Sequence, residues 1–237
     1  MTLTVVAREE SSGRLGMAQA TNPMGVASRC AFVEANVAAL STQAYTTPEL
    51  GPIAMNFLRL GMPPQKVLAE LAECDPNFAY RQVGIVDRQG RASVHTGQSV
   101  KSGKGGIAGE NFVVMGNFLT SDQVVEAMAK AWHDSKETLF EWRLLRAVEA
   151  GRDAGGDAGG HRSAALIVHD RAPYPQTDLR VDFVPKRENS PDAVDTLVDI
   201  FTRWEPLMDF YRDRPANPTI GNWQDWLLAN KGIHWMD

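Results

Sequence analysis

The sequence is short of the residues that mark several common classes of protein. Its 237 residues include two cysteines, too few for a disulfide framework, which favours a reducing compartment. No run of lysine and arginine stands out, and the formal net charge of -5 disfavours binding to nucleic-acid phosphates. No apolar run approaches the length of a membrane span, and the first residues lack the pattern of a signal peptide. We therefore expect a cytoplasmic protein without nucleic-acid or membrane partners.

Signatures of metals and cofactors are equally sparse. The five histidines form no pair with a cysteine or a glutamate at metal-ligand spacing, so no metal is predicted. A glycine-rich stretch at residues 97–106 is similar to a phosphate-binding loop, but its spacing is off by one and Gly105 stands where Ser or Thr would hold magnesium. The stretch is interpreted as a surface loop, and no cofactor is predicted. Cys30 and Cys74 are interpreted as small buried hydrophobic residues.

The sequence does contain ample apolar material, at 43% of residues, in a grouped order of secondary structure. Strands are predicted over residues 3–7, 15–21, 30–33, 37–42, 82–87, 91–95, 111–115, 164–169 and 179–184. Helical spacing of apolar residues occurs at 50–58, 67–72, 124–132, 140–148 and 191–201. Strict strand–helix alternation would imply a parallel sheet, whereas this grouped order favours two mainly antiparallel sheets between helix layers. The predicted fold class is α+β, a four-layer αββα sandwich.

Two polar segments are candidates for a functional site. Residues 41–44, Ser-Thr-Gln-Ala, end a predicted strand before a helix, where backbone N–H groups could face a substrate carbonyl. Capping of a turn by the Thr and Gln side chains is the alternative. Residues 155–163 combine glycines with Asp157 and His161, and here the alternative is a flexible connector.

Several short segments together resemble a bacterial family of unknown function, number 1028, which is classed as Ntn-hydrolase-like (N-terminal-nucleophile hydrolase). The matching segments are Thr4-Val5-Val6-Ala7-Arg8, Gly16-Met17-Ala18, Thr42-Gln43-Ala44, Tyr80-Arg81-Gln82-Val83-Gly84-Ile85-Val86-Asp87, Thr96-Gly97, Gly116-Asn117, Ala150-Gly151, Gly155-Gly156-Asp157, Ser163-Ala164-Ala165-Leu166 and Asp178-Leu179-Arg180-Val181-Asp182. Their order and spacing over about residues 2–185 make the resemblance specific. Met115 and Arg162 depart from it, since they stand where the family pattern has Gln. The resemblance implies the αββα sandwich of proteasome subunits, which agrees with the segment order.

The resemblance also implies a mechanism class, hydrolysis by an N-terminal nucleophile, but not a substrate. We expect the hydrolysis of an amide bond, with a small-molecule amide or a peptide-like compound as the substrate. Small residues after Met1 permit removal of that Met, which would make Thr2 the nucleophile and its own amine the base. Backbone N–H groups at Gln43 and Ala44 would receive the oxyanion, and Asp157 would orient the amine. Four further side chains are expected to line the substrate pocket: Thr21, Thr42, Asn117 and His161.

The C-terminal part of the chain lies outside this resemblance. We predict an Ntn-hydrolase-like domain over residues 1–185 and a Trp-rich extension over 186–237, which holds four of the six tryptophans. That much aromatic surface is unfavourable in water, so the extension is predicted to pack on the domain or on a partner subunit, and a homo-oligomer is expected. A non-catalytic binding or assembly subunit with the same fold is therefore the alternative function.

Overall fold

The computed structural model describes residues 2–101, 103–136, 138–157, 159–186 and 190–235. The chain forms two compact units, one up to Leu197 and the other from Val198 onwards. In the part of the chain that the model describes, no helix is both long and apolar enough to cross a bilayer.

The strands of the first unit form two antiparallel sheets. Their bounds are β1 Thr2–Arg8, β2 Leu15–Thr21, β3 Ala31–Glu34, β4 Ala38–Ala44, β5 Arg81–Asp87, β6 Ala92–Thr96, β7 Gly105–Gly109, β8 Phe112–Asn117, β9 Ser163–His169 and β10 Thr177–Val181. One sheet has the order β10-β9-β2-β1-β8-β7 and the other has the order β3-β4-β5-β6. The first strand therefore lies inside the larger sheet, as its nearly continuous apolar run predicts.

The structure describes eight α-helices, and two pairs of them cover the outer faces of the two sheets. Their bounds are α1 Ala27–Cys30, α2 Leu50–Arg59, α3 Pro64–Cys74, α4 Gln123–Asp134, α5 Phe140–Asp153, α6 Ala193–Trp204, α7 Met208–Asp213 and α8 Trp223–Lys231. Helices α4 and α5 pack on the larger sheet, α2 and α3 pack on the smaller one, and the two sheets pack on each other. The architecture is the predicted four-layer αββα sandwich, and two antiparallel sheets confirm the predicted fold class.

Some local features differ from the prediction. The last strand begins at Thr177 and ends at Val181, because its pairing with β9 starts directly after the turn, where the Gln176 amide donates to the Val168 carbonyl at 2.8 Å. Strand β7 was not predicted, since its glycine-rich sequence carries no β-branched alternation. Cys74 is exposed at the end of α3, so the prediction that it is buried is wrong. Cys30 is buried, and burial raises the pKa of its thiol to about 11.

Candidate functional site

The layer between the two sheets changes character along the strands. Towards one end the facing side chains are apolar: Val6, Leu15, Met17, Ala39, Val86, Val113, Met115, Ala165 and Ile167. Towards the other end, the positions of the same alternation are polar and buried: Thr2, Thr4, Gln19, Thr21, Ser41, Gln43, Gln82, Asn117 and Ser163. We call this second set the polar half of the intersheet layer. Because buried polar groups are costly unless they are used or hydrogen-bonded, it is the candidate functional site.

Thr2 lies at the edge of the polar half, at the start of β1. It pairs with Thr21 on one side and with Asn117 on the other. The hydroxyl oxygens of Thr2 and Thr21 are 3.1 Å apart, so one donates to the other. The structure thus brings three of the sequence-predicted site residues together on three neighbouring strands.

Asp157 lies beside this group of threonines. Its carboxylate accepts the backbone N–H of Asn22 at 3.0 Å and that of Gly159 at 2.7 Å. Asn22 follows Thr21 directly, so the carboxylate is anchored at the end of β2. Burial raises the pKa of Asp157 above its ordinary value of 3.8, although the two N–H donors act in the opposite direction. A buried carboxyl group with a raised pKa next to candidate catalytic residues is typical of a functional site.

His161 stabilises the turn that contains Asp157. Its Nε2 accepts the backbone N–H of Asp157 at 3.3 Å, and its Nδ1 lies 3.3 Å from an oxygen of Asp192. This arrangement fits a ring that carries its proton on Nδ1. Burial acts to raise the pKa of the Asp192 carboxyl, but the hydrogen bond from His161, the backbone N–H of Asp195 and the charge of Arg152 together hold that pKa below its ordinary value of 3.8. Both ring nitrogens of His161 are therefore engaged in holding the turn that presents Asp157.

Gln43 is held inside a network that spans the two sheets. Thr4 donates its hydroxyl to Gln43 Oε1 at 2.7 Å, and Gln43 Nε2 donates to Gln82 Oε1 at 2.7 Å. Gln82 Oε1 also accepts Asn117 Nδ2 at 2.9 Å, and Gln82 Nε2 donates to the Gly116 carbonyl at 2.9 Å. The network joins Gln43 to the strands that hold Thr2. Gln82 is not among the sequence-predicted site residues, since its burial depends on the packing of the second sheet.

Thr42 and Ala44, the residues on either side of Gln43, differ in backbone conformation. Ala44 ends β4 with φ at 72°, a left-handed conformation that costs a residue other than glycine about 1–2 kcal/mol. Strain of this kind concentrates at functional sites. Thr42 lies on the opposite face of β4, the face that alternation directs towards the helices. Its buried hydroxyl has no hydrogen-bond partner among the described residues, and the structure does not bring it to Thr2.

An aromatic cluster spans the gap between the sheets at this end. Tyr45 follows β4 of the smaller sheet and Phe118 follows β8 of the larger one, and their ring centroids are 5.8 Å apart in an edge-to-face contact. Tyr45 makes a second edge-to-face contact with Tyr80 at 5.7 Å. Phe118 has φ at 55°, so two left-handed residues, Ala44 and Phe118, stand next to the polar half. The cluster forms a wall at the edge of the candidate site.

In the glycine-rich stretch, the side chain of Lys104 binds backbone carbonyls of its own loop. The ammonium group of Lys104 donates to the carbonyls of Gly97 at 2.8 Å, Gln98 at 2.8 Å and Val100 at 2.5 Å. A lysine that holds three carbonyls of its own loop is not directed at a phosphate. Strand β7 follows, where a phosphate-binding loop would have a helix N-terminus.

The chain is a four-layer αββα sandwich whose interior first strand begins in the polar half, the architecture that the resemblance to an Ntn-hydrolase-like family implies. The chain belongs to the family of unknown function DUF1028, whose model matches residues 2–189. It is similar to the protein SPO2555 from Silicibacter pomeroyi, a solved structure of that family, with 25% identity, a TM-score of 0.78 and coverage of 99% of each chain.

More distant similarity is found to Anbu, the ancestral beta-subunit. The protein from Yersinia bercovieri has 11% identity and a TM-score of 0.41, with 89% of this chain and 96% of that chain covered. The Gly-1 mutant from Hyphomicrobium sp. strain MC1 has 8% identity and a TM-score of 0.42, with 94% and 99% covered. No curated protein matches the chain.

Proposed function

We propose that the protein is an amidohydrolase whose nucleophile is the hydroxyl of Thr2, acting once Thr2 has become the first residue of the chain. The observation that carries the proposal is the 3.1 Å contact between the Thr2 and Thr21 hydroxyls within the polar half of the intersheet layer. A hydroxyl that already has a hydrogen-bonding neighbour is held in one direction, as a nucleophile has to be. The proposed substrate is a small-molecule amide or a peptide-like compound.

The reaction follows from the chemistry of an N-terminal threonine. The Thr2 amine, with an ordinary pKa of about 8, takes the hydroxyl proton near neutral pH while the oxygen attacks the amide carbon. The N–H groups of Gln43 and Ala44 would receive the oxyanion, and the strained φ of Ala44 supports a special role for this turn. The Thr2 ammonium then gives its proton to the leaving nitrogen as the C–N bond breaks, and water cleaves the resulting ester to release the acid and the Thr2 hydroxyl.

The surrounding residues have separate roles in this proposal. Thr21 and Asn117 flank Thr2 on the neighbouring strands and would contact the substrate. Asp157 would hold the ammonium form of the amine, since a buried carboxyl with a raised pKa gains most from a positive neighbour. His161 and Thr42 would act indirectly, the first through its hydrogen bond to Asp157 and the second through the backbone of β4.

A non-catalytic binding or assembly subunit is the second candidate. It is favoured by the burial of Thr2, which is 5% exposed, and by the engagement of both polar atoms of the Gln43 side chain. The second unit supplies an element for self-association. In that unit Trp204 stacks on Tyr211 at 5.1 Å, and Trp223 meets Trp235 edge-to-face at 4.8 Å. We propose that this Trp-rich extension contributes to a homo-oligomer.

One experiment separates the two candidates. Untagged protein is purified, the mass of its N-terminal peptide is determined, and a library of small amides is assayed with wild type, Thr2→Ala and Thr2→Ser. The amidohydrolase requires that the N-terminus be Thr2, that Thr2→Ala be inactive and that Thr2→Ser retain activity. Thr138→Ala is the control, since Thr138 is exposed between α4 and α5, outside the polar half, and its replacement leaves the nucleophile and the amine intact. Hydrolysis by protein that retains Met1, or by Thr2→Ala, contradicts the proposal.

A further inference from the structure

Gln19 is a buried polar residue of the site whose side-chain amide makes no hydrogen bond to the described residues. It lies on β2, opposite Thr4 of β1, and is 0% exposed. Neither its Nε2 nor its Oε1 has a hydrogen-bond partner among the described residues. A buried amide left in this state costs free energy, whereas an apolar side chain of the same shape would not. The side chain therefore points to a ligand that supplies the missing partners.

A second orphan atom lies on the other side of β1. Asn117 on β8 is fully buried and donates its Nδ2 to Gln82, but within the described part of the chain its Oδ1 has no partner. By contrast, Gln43 and Gln82, equally buried, have partners at both ends of their amides. The unpaired donor and acceptor atoms thus lie on β2 and β8, the two strands that pair with β1.

The unpaired atoms specify a chemical group. Gln19 offers one donor and one acceptor on a planar edge, and Asn117 offers one more acceptor. A terminal –CO–NH2 group carries the complement, namely one carbonyl acceptor and two N–H donors. Strands β2 and β8 lie about 10 Å apart across β1, and Gln19 and Asn117, which pair with Thr4 and Thr2, are also offset by two residues along the strands. A Gln side chain and an Asn side chain with one small group between them can span this distance.

We propose that the polar half binds the terminal –CO–NH2 group of a carboxamide or a ureido compound, with Gln19 pairing against its C(=O)–N–H edge and Asn117 Oδ1 accepting its second N–H. The proposal rests on the amidohydrolase function for the reaction and narrows its substrate class. In that reaction the Thr2 oxygen bonds to the carbonyl carbon, and the C–N bond breaks with release of ammonia. Water then cleaves the ester, giving a carboxylic acid from a carboxamide or a carbamic acid from a ureido compound.

Binding is tested without catalysis in the Thr2→Ala protein, by protein-observed NMR titration. The probes are propionamide, N-ethylurea, N,N-dimethylpropionamide, which lacks both N–H donors, and propionate, which lacks them and is charged. Propionamide or N-ethylurea is expected to bind at least 10-fold more tightly than N,N-dimethylpropionamide and propionate. Tighter binding of propionamide would indicate a carboxamide substrate, and tighter binding of N-ethylurea would indicate a ureido substrate.

The variant Gln19→Met separates recognition from a structural role. It is close in shape to Gln but apolar, so it should weaken binding of the preferred probe about 10- to 100-fold while the Tm stays equal or rises, because the unpaired amide is gone. A residue that serves the fold alone would lower the Tm and leave the order of the probes unchanged. The probe series itself needs no change at Gln19, so it decides the matter even where that variant does not fold.

The outcomes distinguish this inference from the proposed function. Equal affinity for propionamide and its dimethyl derivative, or no binding of any probe, overturns the inference. If wild type hydrolyses only secondary amides, the inference fails while the amidohydrolase function stands. If –CO–NH2 probes bind selectively but wild type hydrolyses no amide, the site recognises the group and the catalytic proposal fails.

Discussion

The hydroxyl oxygens of Thr2 and Thr21 lie 3.1 Å apart across the first pair of strands. If the Thr21 hydroxyl orients the nucleophile, Thr21→Val should lower kcat/KM about 10-fold, the loss expected for one neutral hydrogen bond. Thr21→Ser keeps the hydroxyl and should retain most of the activity. Steady-state kinetics on the best substrate of the amide library provides the measurement. Equal loss in the Val and Ser variants would assign Thr21 to packing.

The buried ion pair between Arg14 and Glu141 should be strongly coupled. The two groups are 2.8 Å apart, and the Glu141 side chain is 0% exposed. Arg14→Met leaves a buried carboxylate without its main partner, so we expect a loss of about 3–5 kcal/mol in the free energy of unfolding. Urea denaturation should show that adding Glu141→Met restores much of this loss.

A matched control for that prediction is the exposed ion pair of Lys130 and Asp134 on α4. Lys130→Ala should change the stability by less than about 1 kcal/mol. Similar losses in the free energy of unfolding from Arg14→Met and Lys130→Ala would contradict the prediction that burial makes the first ion pair more important for stability.

Asp75 and Arg81 should make stability depend on pH in the acid range. Arg81 Nε lies 2.7 Å from a carboxylate oxygen of Asp75, and this hydrogen bond holds the pKa of Asp75 below its ordinary value of 3.8. The pair stabilises the fold above that value, and its contribution is lost as the pH falls through the lowered native pKa. Asp75→Asn should therefore lower the Tm near neutral pH, with a difference from wild type that shrinks below about pH 4. A difference in Tm that is constant down to the acid limit would contradict this.

Gly97 should be required for packing rather than for binding phosphate. A Cβ added there would lie 2.1 Å from the Ala79 carbonyl oxygen, so the backbone would have to move. Gly97→Ala is expected to lower the free energy of unfolding by about 1–3 kcal/mol. Gly105 of the same stretch is the control, since its added Cβ would lie 3.7 Å from Val125, an ordinary contact. Gly105→Ala should stay within about 0.5 kcal/mol of wild type in urea denaturation.

The layered fold could be predicted from the sequence because its signal is local and repeated. Strand β2 begins and ends at the predicted residues, Leu15 and Thr21, since its apolar alternation is bounded by turn residues. Strand β7 could not be predicted, although it pairs with β8 in a local hairpin, because its glycine-rich sequence has no alternation of apolar and polar residues.

The candidate site could be predicted only in part, because the burial of some of its residues depends on how the two sheets pack. Thr2 could be predicted from its position after Met1, and Asn117 from the Gly116-Asn117 segment of the family resemblance. Gln19 and Gln82 lie on faces that look like ordinary solvent faces in sequence, and only the packing of a second sheet on them shows that they are buried. Thr42 shows the converse case, since one step along β4 directs its side chain to the other face.

The division of the intersheet layer into an apolar half and a polar half has a consequence for how such proteins diverge. Val6 and Met115 hold the sheets together at one end of their strands, while Gln19 and Thr21 lie at the other end of theirs. Replacements at the polar end can therefore alter what is recognised while the contacts that maintain the fold stay intact. Over evolutionary time a lineage could change the ligand of the polar half through few mutations, so two descendants with superimposable backbones need not bind the same compound.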